Sequence, residues 1–371
     1  MRKQEIIHNS IDDNILFEKI SAIINDARSR VITAVNTAEV YAKYEIGRYI
    51  IEYEQQGNNR AQYGKQVLQN LAVRLSESFG VGWSYSNLRQ IRQFYLAYEN
   101  LTGTVCQIEN DKKNLMFPDT SSRVSSVPSF SLSWSHYLIL MRINDINERN
   151  FYEIESKNQN WSVRQLSRQV GSSLYERLAL SQNKEELMRL ALEGQTIEKP
   201  TDIIKNPLTL EFLGLKPNTA YTESKLENAI IGKMQQFLLE LGKGFLFEAR
   251  QKRFTFEEQH FFVDLVFYNR LLQCYVLIDL KTSKLSHQDL GQMQMYVNYY
   301  DRFVKQDYER PTIGILLCEE KNDALVQLTL PENANIYASE YSLYLPDKAL
   351  LQSKLKQWID EFNEINELLT E

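Results

Sequence analysis

The spacing of hydrophobic residues divides the chain into a helical first part and a mixed second part. Up to about residue 100, apolar side chains such as Ile20, Ile24 and Val31 recur at intervals of four or seven, which is typical of helices that bury one face. Glycine-containing segments at 57–59 and 80–82 interrupt this pattern. The first part is therefore predicted to contain several helices rather than one.

A polar, serine-rich stretch at 101–131 predicts an exposed loop. The helical pattern returns from about Trp134 to Leu180, and three prolines between residues 200 and 217 then mark a boundary. The predicted segments are a helical domain at 1–180, a linker at 181–220 and a second domain at 221–371.

Beyond residue 220 the pattern becomes that of an α/β domain. Helices are predicted at 222–242 and 287–304, and a closing helix from Lys348 to Leu369. The predicted strands are Phe245–Ala249, Phe261–Phe267, Tyr275–Leu280 and Ile313–Cys318, with Asn335–Glu340 as a further candidate.

Composition limits the class of protein. Of 371 residues, 43% are apolar and 24% charged, as in ordinary globular proteins. The net charge is −6, but residues 1–200 carry +1 and the remainder −7, so the second part would need a bound cation or a separate positive surface to approach a nucleic acid. Three widely spaced cysteines indicate neither a disulfide framework nor a zinc cluster. With no secretory signal and no apolar run long enough to cross a bilayer, we expect a cytoplasmic protein without a membrane partner.

Two acidic residues stand where a buried strand should be apolar. Asp264 lies in the middle of the run Phe261–Phe267, and Asp279 lies near the end of the next strand, two residues before Lys281. Burying such charges without partners costs free energy, and a divalent cation with a substrate phosphate would supply partners. The short turn between the strands predicts a hairpin in which both carboxylates face one Mg²⁺ ion. A strand-end ion pair or a bulge is the alternative.

Two predicted helices add further candidates. In the first, Glu227 falls within the apolar stripe, whereas Glu223 is in the first turn, where an acid can simply favour the helix N-terminus. In the second, Gln292 and Tyr296 share a face at a spacing of four, although ordinary helix surface and core edge account for them equally well.

A weak repeat in the first part places basic residues on helix faces. Trp-Ser precedes a helix that carries Arg89, Arg92 and Gln93, and a second Trp-Ser precedes one that carries Arg164 and Arg168. Spacings of three and four put each set on one face, as in a recognition helix that contacts DNA. Two solvated helix faces are the alternative.

The order of these residues resembles the PD-(D/E)XK nuclease superfamily. That pattern is an acid on a helix, then Asp, then (Asp/Glu)-x-Lys across a hairpin, then Gln-x-x-x-Tyr on the next helix. Nearly the whole chain is also similar to the bacterial YhcG-like family. The segments that carry this similarity are Glu45-Ile-Gly-Arg48, Tyr63-Gly64, Phe79-Gly80, Ser86–Tyr95, Phe237-Leu-Leu-Glu-Leu-Gly242, Arg250-Gln251, Asp264-Leu-Val-Phe-Tyr268, Asp279-Leu-Lys281, Gly291-Gln-Met293 and Ile313–Cys318.

The resemblance implies a C-terminal α/β nuclease domain with a central mixed sheet flanked by helices, and a mainly α-helical, winged-helix-like N-terminal domain that binds DNA. It implies an endonuclease that hydrolyses phosphodiester bonds in DNA processing or restriction-type defence. A homodimer and partners among restriction-modification or DNA-repair proteins are further expectations. A DNA-binding or scaffold subunit with little activity and a dimeric junction resolvase remain as alternatives; the intact set of acids and lysine favours an enzyme.

The resemblance also implies the roles of the site residues. Mg²⁺, or Mn²⁺ in its place, would be held by Asp264, Asp279, the Leu280 carbonyl and Glu227. Lys281 would orient the attacking water, and Gln292 and Tyr296 would line the substrate path. The chain departs from the family twice: Asp279 stands where many members have Glu, and Val263 stands where the superfamily name has Pro.

Overall fold

A computed structural model describes residues 2–56, 61–99, 128–180, 184–215, 221–331 and 333–357. The chain divides into two compact units, residues 1–149 and 150–371. The glycine break at 57–59, most of the loop predicted at 101–131 and the end of the predicted closing helix lie outside the described residues.

The first unit is helical, as predicted. Its helices are α1 (Arg2–Gln56), α2 (Ala61–Phe79), α3 (Tyr85–Tyr98) and α4 (Trp134–Leu140). Aromatic residues form much of its core, with Phe94, Phe130 and Tyr137 packed ring against ring. The described part of this unit contains no strand, so its winged-helix similarity stays a prediction.

The second unit is an α/β structure, which confirms the predicted class. Its helices are α5 (Ile146–Asn158, which begins just ahead of the boundary), α6 (Val163–Gly171), α7 (Leu174–Ala179), α8 (Lys184–Glu193), α9 (Glu223–Gly232), α10 (Met234–Leu241), α11 (His287–Phe303) and α12 (Asp323–Thr329). Residues 348–357 are also helical. Its strands are β1 (Leu208–Thr209), β2 (Phe245–Phe256), β3 (Gln259–Asn269), β4 (Cys274–Leu280), β5 (Ile313–Cys318) and β6 (Ile336–Ser342).

One mixed sheet organises this unit, in the order β1-β6-β5-β4-β3-β2. β2, β3 and β4 are joined antiparallel, whereas β4, β5, β6 and β1 run parallel. Apolar residues of α9 and α10 pack on one face of the sheet, and those of α11 and α12 pack on the other. β4 is therefore apolar on both sides, which explains its continuous hydrophobic run.

Two predicted elements differ from the structure. The helix predicted at 222–242 is broken at Lys233, next to Gly232, whose low helix propensity favours a break there. The strand predicted to end at Ala249 continues to Phe256. Its second half is charged and exposed, as is common in an edge strand, and so lacks the apolar pattern from which strands are predicted.

A buried ion-pair network ties α6 and α7 to the sheet. The Glu240 carboxylate accepts hydrogen bonds from Arg177 Nη1 at 2.6 Å, from Arg168 Nη1 at 3.0 Å and from the Thr209 backbone N–H at 3.0 Å. Burial alone would raise the pKa of Glu240, but Arg177, Lys205 and Arg168 lower it to about 2. This network lies within the second compact unit, to which α6 and α7 belong. The sequence pattern had placed both helices in the helical domain at 1–180, before the linker predicted at 181–220. Which functions the two parts carry stays a prediction.

No helix in the described ranges is both long and apolar enough to cross a membrane.

The Glu240 network should matter for stability. Glu240→Ala would leave Arg168, Arg177 and Lys205 without their shared buried counter-charge, and we expect it to lower the free energy of unfolding by about 3–5 kcal/mol. Glu320→Ala is the control, since the ion pair of Glu320 with Lys284 is exposed and worth less than about 1 kcal/mol. Urea unfolding of both variants measures the difference; similar losses would contradict it.

Candidate active site beside the central strands

Asp264 and Asp279 lie side by side on neighbouring strands, as the predicted hairpin requires. β3 and β4 are paired up to Leu265 and Ile278, so the two aspartates come next in register. Beyond this pair, the Leu280 N–H of β4 donates a hydrogen bond to a side chain of β3, since Asp264 Oδ2 accepts it at 2.8 Å. Two carboxylates thus meet at the end of the paired segment.

Lys281 is surrounded by carboxylates. Its Nζ lies 2.7 Å from Asp279 Oδ2, 3.7 Å from Asp289 Oδ1 and 4.0 Å from Glu223 Oε1, and its side chain is 12% exposed. Asp289 also caps α11, where its Oδ2 accepts a hydrogen bond from the Ser286 N–H. The sequence pattern did not single out Asp289, and it favoured Glu227 over Glu223, although both glutamates lie on the same helical stripe.

These charges alter the protonation of the site. Burial, followed by the charge of Asp264, raises the pKa of Asp279 to about 7, and Lys281 offsets only part of this rise. Burial alone would lower the pKa of Lys281, but Asp279, Glu223 and Asp289 raise it to about 12. Without a cation the site therefore holds more negative charge than Lys281 balances.

Glu227 is held beside the aspartates by two consecutive residues of β2. Its Oε1 lies 3.1 Å from Arg250 Nε, and its Oε2 accepts a hydrogen bond from Gln251 Nε2 at 2.8 Å. The same Gln251 nitrogen donates to Asp264 Oδ1 at 2.8 Å. Glu227 is thus connected to Asp264 through the amide group of Gln251. Neither Arg250 nor Gln251 was predicted as a site residue, although the adjacent pair is part of the family resemblance.

Gln292 and Tyr296 form a hydrogen-bonded pair that contacts the strand carrying Asp264. Tyr296 is 1% exposed, and its hydroxyl donates to the carbonyl of Phe262 at 2.8 Å and accepts a hydrogen bond from Gln292 Nε2. Phe262 is two residues before Asp264, so this contact fixes the strand that carries the aspartate. An anchoring contact accounts for the buried Tyr296 better than a place along a substrate path.

The donors present suit a hard divalent cation. Two buried carboxylate oxygens each have one cationic neighbour: Glu227 Oε1 lies 3.1 Å from Arg250 Nε, and Asp279 Oδ2 lies 2.7 Å from Lys281 Nζ. Carboxylate and carbonyl oxygens are the ligands that Mg²⁺ prefers. No three His, Cys, Asp or Glu side chains among the described residues gather closely enough to form a complete ligand set. A cation here would therefore need the two aspartates, a main-chain oxygen and water.

The basic residues predicted to contact DNA have different surroundings. In the first unit, Arg89 is exposed above the ring of Tyr85, and Gln93 is exposed. Arg92 is half-buried and pairs with Glu54 at 2.8 Å.

In the second unit, Arg164 is exposed, but Arg168 bonds to Glu211, Glu240 and the Thr209 carbonyl, and its side chain is 14% exposed. Its guanidinium is therefore bonded to two carboxylates and a carbonyl inside the unit, which disfavours a contact between Arg168 and DNA.

Comparisons with known proteins identify the class. Residues 201–356 match the YhcG PDDEXK nuclease domain, and residues 19–177 match the DUF1016 N-terminal domain. The chain is 36% identical over 351 residues to the Escherichia coli (strain K12) protein named "Putative nuclease YhcG", covering 92% of each chain. The chain therefore belongs to the YhcG family of PDDEXK nucleases.

A solved structure, the crystal structure of a repair endonuclease from Pyrococcus abyssi, matches with 17% identity and a TM-score of 0.24. The match covers 35% of this chain and 50% of that protein's chain.

The raised pKa of Asp279 predicts a pH-dependent effect of Asp279→Asn. With EDTA present, the folded protein keeps the proton on Asp279 below about pH 7 and loses it above, whereas the unfolded chain has already lost it near pH 4. The stability of the wild type therefore falls as the pH rises from about 4 to about 7 and levels off above that, and asparagine does not share this loss. Asp279→Asn should raise the melting temperature by at least about 2 °C more at pH 8.5 than at pH 5.5.

Thermal melts at both pH values measure this difference. Asp323→Asn is the control, because Asp323 is exposed and pairs with Lys321 outside the site. An equal effect of Asp279→Asn at both pH values would show that Asp279 does not titrate in this range.

Proposed function

We propose that the chain is a divalent-metal-dependent DNA endonuclease, with Mg²⁺ as its cation and Mn²⁺ as a substitute. The observation that carries the proposal is the meeting of Asp264, Asp279 and Lys281, with Lys281 Nζ 2.7 Å from Asp279 Oδ2. Membership of a nuclease family supports the same reaction. The family resemblance further supports a role in DNA processing or restriction-type defence.

The residues would divide the work as follows. Asp264, Asp279 and the Leu280 carbonyl would hold the cation, with Glu227 reaching it through water. The bound cation would neutralise phosphate charge and promote ionisation of the attacking water. Lys281 keeps its proton at neutral pH because of its carboxylate neighbours, so it would orient the water by donating hydrogen bonds and offset the charge that develops on the phosphate. Tyr296 would fix the strand that carries Asp264.

The first unit would supply affinity for DNA. The second part of the chain is acidic, whereas residues 60–95 carry five basic residues against one acid. Arg89 and Gln93 are exposed on α3, and Arg92 lies on the same helix. Arg164, exposed on α6, would add a further contact from the second unit. Phosphate contacts from such residues would add affinity that is independent of sequence and sensitive to salt.

Lys281→Ala should separate chemistry from binding. We expect cleavage to fall at least about 100-fold, because the variant loses a positive charge at the reacting phosphate, while DNA affinity changes little. Lys284→Ala is the matched control: it removes an exposed lysine three residues away that pairs with Glu320. Cleavage of linear, circular, branched and single-stranded DNA is followed with Mg²⁺, Mn²⁺ or EDTA. Full activity of Lys281→Ala, or cleavage in EDTA, would contradict the proposal.

Removal of Arg89 and Arg92 together should weaken binding to all DNA sequences alike. For each arginine that no longer binds a phosphate, the log–log dependence of affinity on salt should flatten by about one unit. Since Arg92 already pairs with Glu54, we expect Arg89→Ala to give the larger single effect. Arg30→Ala, which removes an exposed arginine of α1, is the control. Fluorescence anisotropy at several salt concentrations gives the dependence of DNA affinity on salt. If this dependence is unchanged in the double variant, this face of α3 does not contact phosphates and is ordinary solvated surface.

A further inference from the structure

Gln251 has an unusual backbone conformation for a residue inside a strand. Its φ is +45°, in the left-handed region that favours glycine, although it lies within β2. Side chains of consecutive strand residues normally point to opposite faces of a sheet. Here the backbone departs from that rule, and the side chains of Arg250 and Gln251 both reach the carboxylate of Glu227. Strained residues of this kind often lie at functional sites.

The Gln251 amide group stands between two acids of the site. Its Nε2 is 2.8 Å from Glu227 Oε2 and 2.8 Å from Asp264 Oδ1. Ionised carboxylates only accept hydrogen bonds, so the group that faces them is the NH₂ of the amide and not its oxygen. A cation would also bind between two such oxygens, at about 2.1 Å from each in the case of Mg²⁺. The neutral amide therefore occupies a position in which a cation would find ligands.

We propose that Gln251 limits the site to one divalent cation, held on the Asp279 side of Asp264, by filling the gap between Asp264 and Glu227 with its NH₂ group. This inference rests on the proposed metal site. Gln251 acts through its neighbours: it positions Glu227 and Asp264 and excludes a second ion. Glutamate at this position would turn the donor into a ligand, and glycine would suit the positive φ while leaving the gap open.

The test counts bound cations. Mn²⁺ binding is measured by isothermal titration calorimetry and by electron paramagnetic resonance of free Mn²⁺, on the full-length wild type, Gln251→Glu and Gln251→Gly, each first shown to be folded by circular dichroism. We expect one Mn²⁺ per chain in the wild type and two in Gln251→Glu. Gln251→Gly should also bind a second ion, at least about tenfold more weakly than the first, because it adds no ligand.

The chain offers a matched control at Gln273. This residue also has a positive φ, of +54°, but it lies in the turn between β3 and β4 and is exposed. Gln273→Glu adds the same charge on the same type of backbone away from the acids, and it should still bind one Mn²⁺.

Two Mn²⁺ ions in the wild type would mean that a second ion displaces the Gln251 amide from between Asp264 and Glu227, and this result would overturn the inference. One ion in both Gln251 variants would overturn it as well, as would a second ion in Gln273→Glu. Absence of Mn²⁺ binding by the wild type would instead overturn the proposed metal dependence, and this inference with it. Gln251→Gly keeps the test decisive if Gln251→Glu does not fold.

Discussion

The second unit is arranged around two aspartates of like charge that meet at the end of a paired β-segment. Burial of Asp279 disfavours its charged form, and repulsion from Asp264 adds to this, so the pKa of Asp279 is raised. Each neighbour offsets part of it: Lys281 by its charge, and the Leu280 N–H and the Gln251 amide by hydrogen bonds to Asp264. The compensation is incomplete, since the pKa of Asp279 stays raised although Lys281 lies 2.7 Å from its carboxylate. A bound cation would offset the remaining unfavourable charge, which is in line with the proposed metal site.

A different compensation operates at Glu240. This carboxylate is fully buried, yet its pKa is lowered because Arg177, Lys205 and Arg168 outweigh the effect of burial. The comparison with Asp279 shows that burial alone does not decide the protonation of an acid; the number and sign of its neighbours do. Glu240 is thus satisfied within the protein and holds α6 and α7 against the sheet. Asp279 has one cationic partner, Lys281, and its pKa stays raised. The first arrangement is structural, and the second is typical of a functional site.

Sequence patterns predicted the features that depend on residues close together in the chain. Hydrophobic runs located β3, β4, β5 and α11, and a short turn predicted the pairing that places Asp264 beside Asp279. Contacts between distant segments were not predictable in this way. Arg168 has the spacing of a solvated helix residue, but its partners Glu211 and Glu240 are 43 and 72 residues away. Gln251 lies in a charged run with no apolar alternation, so neither its strand nor its left-handed backbone could be anticipated.

The surroundings of the arginines also show why formal charge is a poor guide to a nucleic-acid surface. Arg168 and Arg177 contribute two positive charges to the formal net charge, yet both form ion pairs with Glu240 inside the second unit. Arg89 is exposed and has an aromatic ring as its neighbour, so its charge is presented to solvent. Arg92, paired with Glu54, would have to exchange a carboxylate for a phosphate, and that exchange lowers its net contribution. Among the described residues, a surface that binds DNA would therefore depend on exposed arginines such as Arg89, and the buried ion pairs of Arg168 and Arg177 exclude these two from it.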